Sequence, residues 1–309
     1  YRRYGFSADF GDVIAGNIRR EILAKMMLKL LDKFNVDIEL GSRVRNIKFE
    51  NDKVLVKTNN NVFKAKYVIA ADGVFSTIRR IIYGNDISDD YLGLAAQLWI
   101  EMDHEHIDSI FGNFNYFYYG VEYAPFGYVW IFPHKDFVKF GYGAPKSYII
   151  RHGINLEKHL EKLIKCRTNL RKRLKNGNII RREGFAVPLT RTIGPLVYRR
   201  LLFVGDAARL ANPLTGEGIH TALMSGKIAG WTLSKCLSGS GKGCTKIYER
   251  IVKQMYWLNQ RLSRLIVDMY LRPRKTRVKL DKRRVKILAN ILTHRKSVLG
   301  SLLNAIHKS

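Results

Sequence analysis

Cysteine is scarce in this chain: Cys166, Cys236 and Cys244 are its full complement. An odd number, no C-x-x-C spacing and no histidine cluster nearby argue against a disulfide framework or a metal site and point to a reducing cytoplasm. Each cysteine reads as an ordinary helix or loop residue. Long apolar runs are missing too, and none reaches the roughly 20 residues a membrane-spanning helix needs. The opening "YRRYGFSADFGD" lacks the apolar segment of a secretory signal and has no initiator Met. Acids are few: 26 Asp and Glu against 54 Lys and Arg leave a formal net charge of +28. Such an excess favours anionic partners, either nucleic acid or an acidic membrane surface. A surface simply rich in Lys and Arg, as in proteins from hot environments, would give the same number. No internal repeat and no linker of distinct composition divides the chain.

What is present describes a globular protein. With 309 residues, 46% of them hydrophobic, the chain can bury a core in one large or two intimate domains. "GNIRREILAKMMLKLLDKFN" carries Ile18, Ile22, Leu23, Met26, Met27, Leu30 and Leu31 at helical spacing and predicts a helix with a broad buried face. "VDIELGSRVRNIKFE", "KVLVKTN" and "VFKAKYVIAADG" read as short strands split by "ND" and "NNN" turns. From Leu92 to Gly143 the pattern is strand-rich and aromatic, with turns expected at "APFG" and "PHKD". "INLEKHLEKLIKC" follows as a short amphipathic helix, and "EGFAVPLT" and "LLFVGDA" return to strand. Glu217 to Leu237 predicts one helix, and about Lys246 to Leu271 a second, long one. Interleaved strands and helices with an aromatic sheet between them indicate an α/β protein whose two domains share strands.

One stretch carries chemistry. In "LLFVGDAARLANPLTGEGIHTALMSGKIAG" (Leu201 to Gly230), an apolar strand ends in Asp206, at the edge where ligands bind in α/β sheets. A carboxylate there can accept hydrogen bonds from a ribose or ribityl hydroxyl. "NPLTGEG" then supplies two glycines whose N–H groups approach an anion at the positive end of the following helix. Ala222, Gly226, Ala229 and Gly230 allow that helix to pack closely on a sheet. A plain tight turn accounts for the glycines but not for the acid at the strand end.

Here the chain resembles a known group. "YVIAADGVFSTIRR" (Tyr67 to Arg80) resembles the Asp-Gly motif, and "LLFVGDAARLANPLTGEGIHTALMSG" the Gly-Asp motif, of FAD enzymes shaped like p-hydroxybenzoate hydroxylase. "GYVWIFPHKDFVKFGYG" (Gly127 to Gly143) is similar to the Tyr-x-Trp-x-Phe-Pro signature of geranylgeranyl reductases, the digeranylgeranylglycerophospholipid reductases among them. The resemblance runs from about Ile14 to about Leu237. It implies a Rossmann-like FAD-binding domain in residues 1–90 and 191–240. An inserted antiparallel-sheet substrate domain occupies 91–190, and a helical basic C-terminal region 241–309. The G-x-G-x-x-G turn that opens such proteins is not here. "GYGAPK" matches only two of its glycines and follows the wrong element. The resemblance therefore implies a βαβ unit of at least ~30 residues before Tyr1, and weak FAD retention by the chain as written.

By resemblance, Arg20, with Arg19 as its rival, reaches the FAD phosphate or adenosine region. The backbone at Val44 meets the adenine. Asp206 binds the ribityl chain, and the backbone of Gly216, Gly218 and Ile219 lies along the pyrimidine edge of the flavin. There the helix dipole stabilises the anionic reduced form. Asp72 and Gly73 shape the FAD domain. Tyr128, Trp130 and Phe132 alternate and so share one strand face. An ordinary packed sheet would give the same alternation. The resemblance makes that face, closed by Pro133, the lining of an isoprenoid tunnel, with Tyr116, Phe117, Tyr118 and Tyr119 as further candidates. The implied reaction passes hydride to one carbon of an unactivated alkene and a proton to the other, with aromatic faces tolerating the developing positive charge. His220 and Tyr128 are the weak candidates for proton donor.

The tail from Arg272 to Lys296 holds eleven Lys or Arg and one acid, interspersed with Val, Ile and Leu. It fits peripheral attachment to an anionic membrane better than nucleic-acid binding, given a lipid substrate. The combined expectation is a cytoplasmic FAD-dependent reductase of geranylgeranyl double bonds in archaeal-type ether phospholipids, without a metal. NAD(P)H and ferredoxin both stand as electron donors. The rivals are an FAD monooxygenase of the same fold and a non-catalytic basic protein binding membranes or nucleic acid.

Overall fold

The computed structural model describes residues 16–85, 87–120, 122–190, 193–239 and 243–271. The N-terminal stretch read above and the basic tail lie outside them. The chain opens with α1 (Arg20–Leu31). A three-stranded antiparallel sheet follows: β1 (Val44–Phe49), β2 (Val54–Thr58) and β3 (Val62–Ala65). Its turns are those the polar residues signal. Glu50 and Lys53 exchange backbone hydrogen bonds around Asn51-Asp52. At the second turn, the Thr58 hydroxyl accepts from the N–H groups of Asn60 and Asn61.

Then come β4 (Val68–Ala70) and α2 (Thr77–Tyr83), followed by β5 (Leu92–Glu101) and α3 (His104–Phe111). β6 (Tyr116–Gly120), β7 (Ala124–Pro133) and β8 (Phe137–Pro145) form a meander. Three helices, α4 (Lys146–Arg151), α5 (Leu156–Cys166) and α6 (Thr168–Arg173), lead to β9 (Asn178–Pro188). β10 (Val197–Tyr198), β11 (Leu201–Phe203), α7 (Ile219–Leu237) and α8 (Thr245–Leu271) complete the fold. The large antiparallel sheet has the order β6-β7-β8-β5-β9, and a small sheet has the order β10-β11-β4. In the small sheet β11 and β4 run parallel.

Two cores support these sheets. One face of the large sheet buries Leu98, Ile100, Val129, Ile131 and Phe140 against Ile107 of α3 and Leu160 of α5. Burial of that many large side chains contributes roughly 1.5–3 kcal/mol each before the entropy of folding is charged. The second core joins β11, with Leu201, Leu202 and Phe203 fully buried, to Ala229 of α7 and Tyr248 of α8. The Tyr248 hydroxyl donates to the Phe203 carbonyl at 2.5 Å.

Three expectations are corrected here. α1 forms, but none of its residues is buried. Its first turn is tied down by the Glu21–Arg181 ion pair at 2.7 Å, while Met26 and Leu30 stand exposed. "APFG" is not a turn but the start of β7. The reversal lies before it, closed by the Tyr123 N–H on the Gly120 carbonyl. Cys236 and Cys244 are not isolated thiols but a disulfide. The end of α7 and the start of α8 bring their Cα atoms within 5.5 Å, inside bridging range. Cys166 alone is free and exposed.

Candidate functional site

Parallel pairing of β4 with β11 decides where the site lies. Val68, Ile69 and Ala70 stand beside Leu201, Leu202 and Phe203, so both strands leave the sheet at the same end. Asp72-Gly73 and Gly205-Asp206 emerge there side by side. Asp72 turns back on its own segment, accepting from the Ser76 hydroxyl at 2.6 Å and the Ile78 N–H at 3.1 Å. It therefore organises the start of α2. From that helix the buried Arg79 crosses to the carbonyls of Pro195 and Ala207, bracing the turn that carries Asp206.

Gly205 has φ +54° and presses on α7 so closely that a Cβ would lie 3.0 Å from that of Ala222. Its N–H donates to the Ser225 hydroxyl at 3.0 Å. Asp206 is half-buried. Burial pushes its carboxyl above the ordinary carboxylate range, against the pull of the Arg20 charge and with the help of Glu217. A buried acid without compensation is costly, and such groups gather where a ligand is to be met.

The loop beyond it is held by one asparagine. The Asn212 carbonyl Oδ1 accepts from the N–H groups of Leu214 and Thr215, and its Nδ2 donates to Ser263 of α8 at 3.3 Å. Gln260 of α8 donates to the Arg209 and Ala211 carbonyls at 2.7 and 3.2 Å. Gly216 takes φ +68°, a region that favours glycine. A Cβ on Gly218 would lie 3.2 Å from Asp206 Oδ1. Glu217 accepts from the His220 N–H at 2.9 Å, at the opening of α7. The loop is thus fixed from α8, with Asp206, Gly216 and Gly218 adjacent.

The large sheet meets this loop through Tyr128, whose hydroxyl donates to the Thr215 carbonyl. Tyr128, Trp130 and Phe132 do share a face, their rings spaced 5.6 and 6.1 Å apart. Phe117 and Tyr119 flank them on β6, while Tyr116 and Tyr118 point to the opposite face and pack in the core. The four-residue cluster read from sequence is therefore split by the strand's two-residue period. Gly141 opposes Trp130 on β8 and leaves space that the indole fills. Trp130 is buried, yet its Nε1–H has no hydrogen-bond partner among the described residues.

Arg20 is exposed, 5.9 Å from the Phe185 ring, and its charge reaches Asp206. Arg19 instead lies 5.7 Å over Trp99. Asn17 donates to the Pro133 carbonyl at 2.7 Å, so the segment before α1 crosses the end of the aromatic face. Val44 is half-buried at the start of β1 and packs towards the second core. Ile219 and His220 are exposed at the head of α7, the imidazole 6.5 Å from Tyr256. Trp99, Lys139, Arg181 and Phe185 belong to the same face, and sequence reading missed them. Cross-strand register, which sets Lys139, Gly141 and Gly143 opposite Phe132, Trp130 and Tyr128, is what reveals them. Among the described residues no group of three metal-ligating side chains occurs, and no helix is long and apolar enough to cross a membrane.

This arrangement, a strand-end acid and glycine loop facing an antiparallel sheet, is that of the Rossmann-like FAD-dependent oxidoreductases. A solved geranylgeranyl bacteriochlorophyll reductase-like protein from Thermoplasma acidophilum superposes with TM-score 0.72 over 94% of this chain and 74% of its own, at 25% identity. A flavoprotein/dehydrogenase from Cytophaga hutchinsonii superposes with TM-score 0.67 over 91% of this chain and 69% of its own at 18% identity, which bears on fold alone. No protein-family profile matches. Within the class, this chain's curated relatives carry the name digeranylgeranylglycerophospholipid reductase. The chain is 28% identical to digeranylgeranylglycerophospholipid reductase of Thermoplasma acidophilum over 80% of its length and 62% of the relative's. It is 34% identical to that of Methanocaldococcus jannaschii over 63% of its length and 48% of the relative's. A reductase of that name from Methanococcoides burtonii is 30% identical over 71% of this chain and 53% of its own. The chain thus spans between about half and three fifths of these relatives.

Proposed function

We propose that this chain supplies the flavin-facing and substrate-facing surfaces of an FAD-dependent reductase of isoprenoid C=C bonds, acting on geranylgeranyl groups of archaeal-type ether phospholipids. The observation that carries the reading is the Tyr128–Thr215 hydrogen bond. It fastens an aromatic strand face directly to the glycine loop beside Asp206. The residues present fit the inner half of a flavin. Asp206 offers a carboxylate for a ribityl hydroxyl, Gly216 and Gly218 present backbone without Cβ, and Ile219 opens a helix whose dipole favours negative charge. Arg20 serves the phosphate or adenosine region of the cofactor, and Val44 its adenine.

When bound and reduced, FAD supplies a hydride. The chain's own part is to hold the alkene, exclude water and deliver the proton. Tyr128, Trp130 and Phe132, with Phe117 beside them, present π faces that tolerate positive charge on the second alkene carbon. Pro133 closes the far end. Burial raises the Tyr128 phenol well above its usual range, and its O–H is already engaged as donor to the Thr215 carbonyl. Tyr128 is therefore a positioning residue rather than the acid, and His220 is the better candidate donor.

The exposed Trp231 and Trp257 on α7 and α8, the latter 4.8 Å from Arg261, support attachment to a membrane surface, where such substrates reside. The test is anaerobic: protein containing this chain, loaded with FAD and reduced by dithionite, is given a geranylgeranyl ether phospholipid. Dithionite makes the result independent of whether NAD(P)H or ferredoxin is the natural donor. The expected product gains hydrogen in pairs by mass. An unchanged lipid with the flavin bound and reduced overturns the substrate assignment.

A further inference from the structure

The aromatic face does not end at Phe132. Register across four strands sets Phe132, Lys139, Trp99 and Arg181 directly abreast, on the side that carries Tyr128 and Trp130. Lys139 is 8% exposed, and its ammonium lies 4.4 Å from the Trp99 ring centre. Arg181 and Arg19 approach the same ring at 4.8 and 5.7 Å. Three cations thus surround one indole. The acids nearby are already engaged: Glu21 and Glu183 each hold Arg181 at 2.7 Å, and Glu183 also accepts from Gln97 and Trp99. No described carboxylate forms an ion pair with Lys139, which feels Glu183 and Glu21 only through space. An ammonium on a largely buried side chain, faced by a ring and by two further cations, is stabilised when an anion joins it.

We infer that Lys139, with Arg181 and Arg19, forms a receptor for a phosphate-type anion at the end of the aromatic face remote from the glycine loop. The inference rests on the isoprenoid reading. A lipid whose phosphate is held by Lys139 would lay its chain along Phe132 and Trp130 towards Tyr128 and the loop. Tyr128 and Phe132 are four strand residues apart, roughly 13 Å at ~3.3 Å per residue. The phosphate would therefore act as a ruler that selects which double bond reaches the loop. Burial pulls the Lys139 ammonium below its ordinary range, against Glu183 and Glu21 and with the help of Arg20 and Arg181.

Calorimetric titration of this chain with geranylgeranyl monophosphate, geranylgeraniol and inorganic phosphate tests the assignment. The monophosphate is expected to bind at least ~10-fold more tightly than the alcohol, since hydrogen bonds to charged groups are the strong ones. Lys139→Met should erase that preference, and Lys139→Arg should restore it. Thermal unfolding of each variant shows that the fold survives. A preference undiminished in Lys139→Met, or equal binding of phosphate and alcohol by the parent chain, overturns the site. Inorganic phosphate binding that needs Lys139, with neither isoprenoid bound better than it, leaves the anion site standing and sinks the isoprenoid reading instead.

Discussion

Gly141 is the residue on which the aromatic face most directly depends. It sits in β8 opposite Trp130, and a Cβ built on it would fall 2.0 Å from Cζ2, 2.2 Å from Cε2 and 2.7 Å from Nε1 of that indole. Its φ is outside the left-handed region, so alanine meets no backbone strain there. The whole cost is therefore steric. Trp130 cannot yield freely, being 5% exposed and boxed by the rings of Tyr128, Phe132 and Phe185. Overpacking of this kind costs about 1–3 kcal/mol. For a chain of this size that lowers Tm by roughly 2–5 °C. A double-mutant cycle isolates the cause. In a Trp130→Leu background, Gly141→Ala should cost almost nothing, because the ring it strikes is gone. Thermal or denaturant unfolding of the four proteins reads the coupling. A cost for Gly141→Ala that is the same with and without the indole would refute the packing argument. The single variant should also lose isoprenoid binding, since a displaced indole tilts across the face.

Three other expectations concern charge and redox state. Asp206→Asn should stabilise the ligand-free chain at neutral pH, because the raised pKa means that ionised Asp206 costs stability as pH rises through it. That gain should vanish in acid, and FAD retention should fall roughly tenfold or more; a variant less stable at pH 7 contradicts the account. His134, stacked on Phe137, is held neutral by burial and by Lys139 and Arg19, its pKa pulled down to about 4. Stability should therefore be complete above the unfolded pKa of ~6.5 and decline towards pH 4, by about 1–2 kcal/mol after discounting for its half-exposure. His134→Gln should flatten that decline in urea midpoints taken between pH 7 and 4.5. Thiol titration of the non-reduced native chain should find one reactive group, Cys166, and reduction should lower stability by roughly 2–3 kcal/mol for so short a loop. Three titratable thiols before reduction would mean the bridge does not form.

Much of this was legible from local pattern. The "ND" and "NNN" turns, the helices after Asn155 and Gly218, and the run ending at Asp206 each depend on residues adjacent in sequence, and the folded chain has them all. The site motifs were legible for the same reason: a strand-end acid followed by two glycines is a contiguous signal. Lys139 was not. In "DFVKFGYG" nothing local sets it apart, and only pairing with β5 puts Trp99 beside it. Arg181 comes from a strand some forty residues further on, outside any window that periodicity can scan. The Cys236–Cys244 bridge was hidden because a separation of 8 residues matches no framework spacing, and only the meeting of α7 with α8 brings the two Cα atoms within 5.5 Å.

The chain by itself determined its strand and helix periods, the polar turns of the first sheet and the acid and glycines of the loop, because those follow from steric and hydrogen-bonding preferences of near neighbours. Tertiary structure alone decided three things. Parallel pairing of β4 and β11 put the two acidic turns at one edge. Cross-strand register gathered Phe132, Lys139, Trp99 and Arg181 into one row. The Tyr128–Thr215 contact joined that face to the loop. The reason is geometric: alternation says which residues share a face, but only the pairing of distant strands says which faces meet.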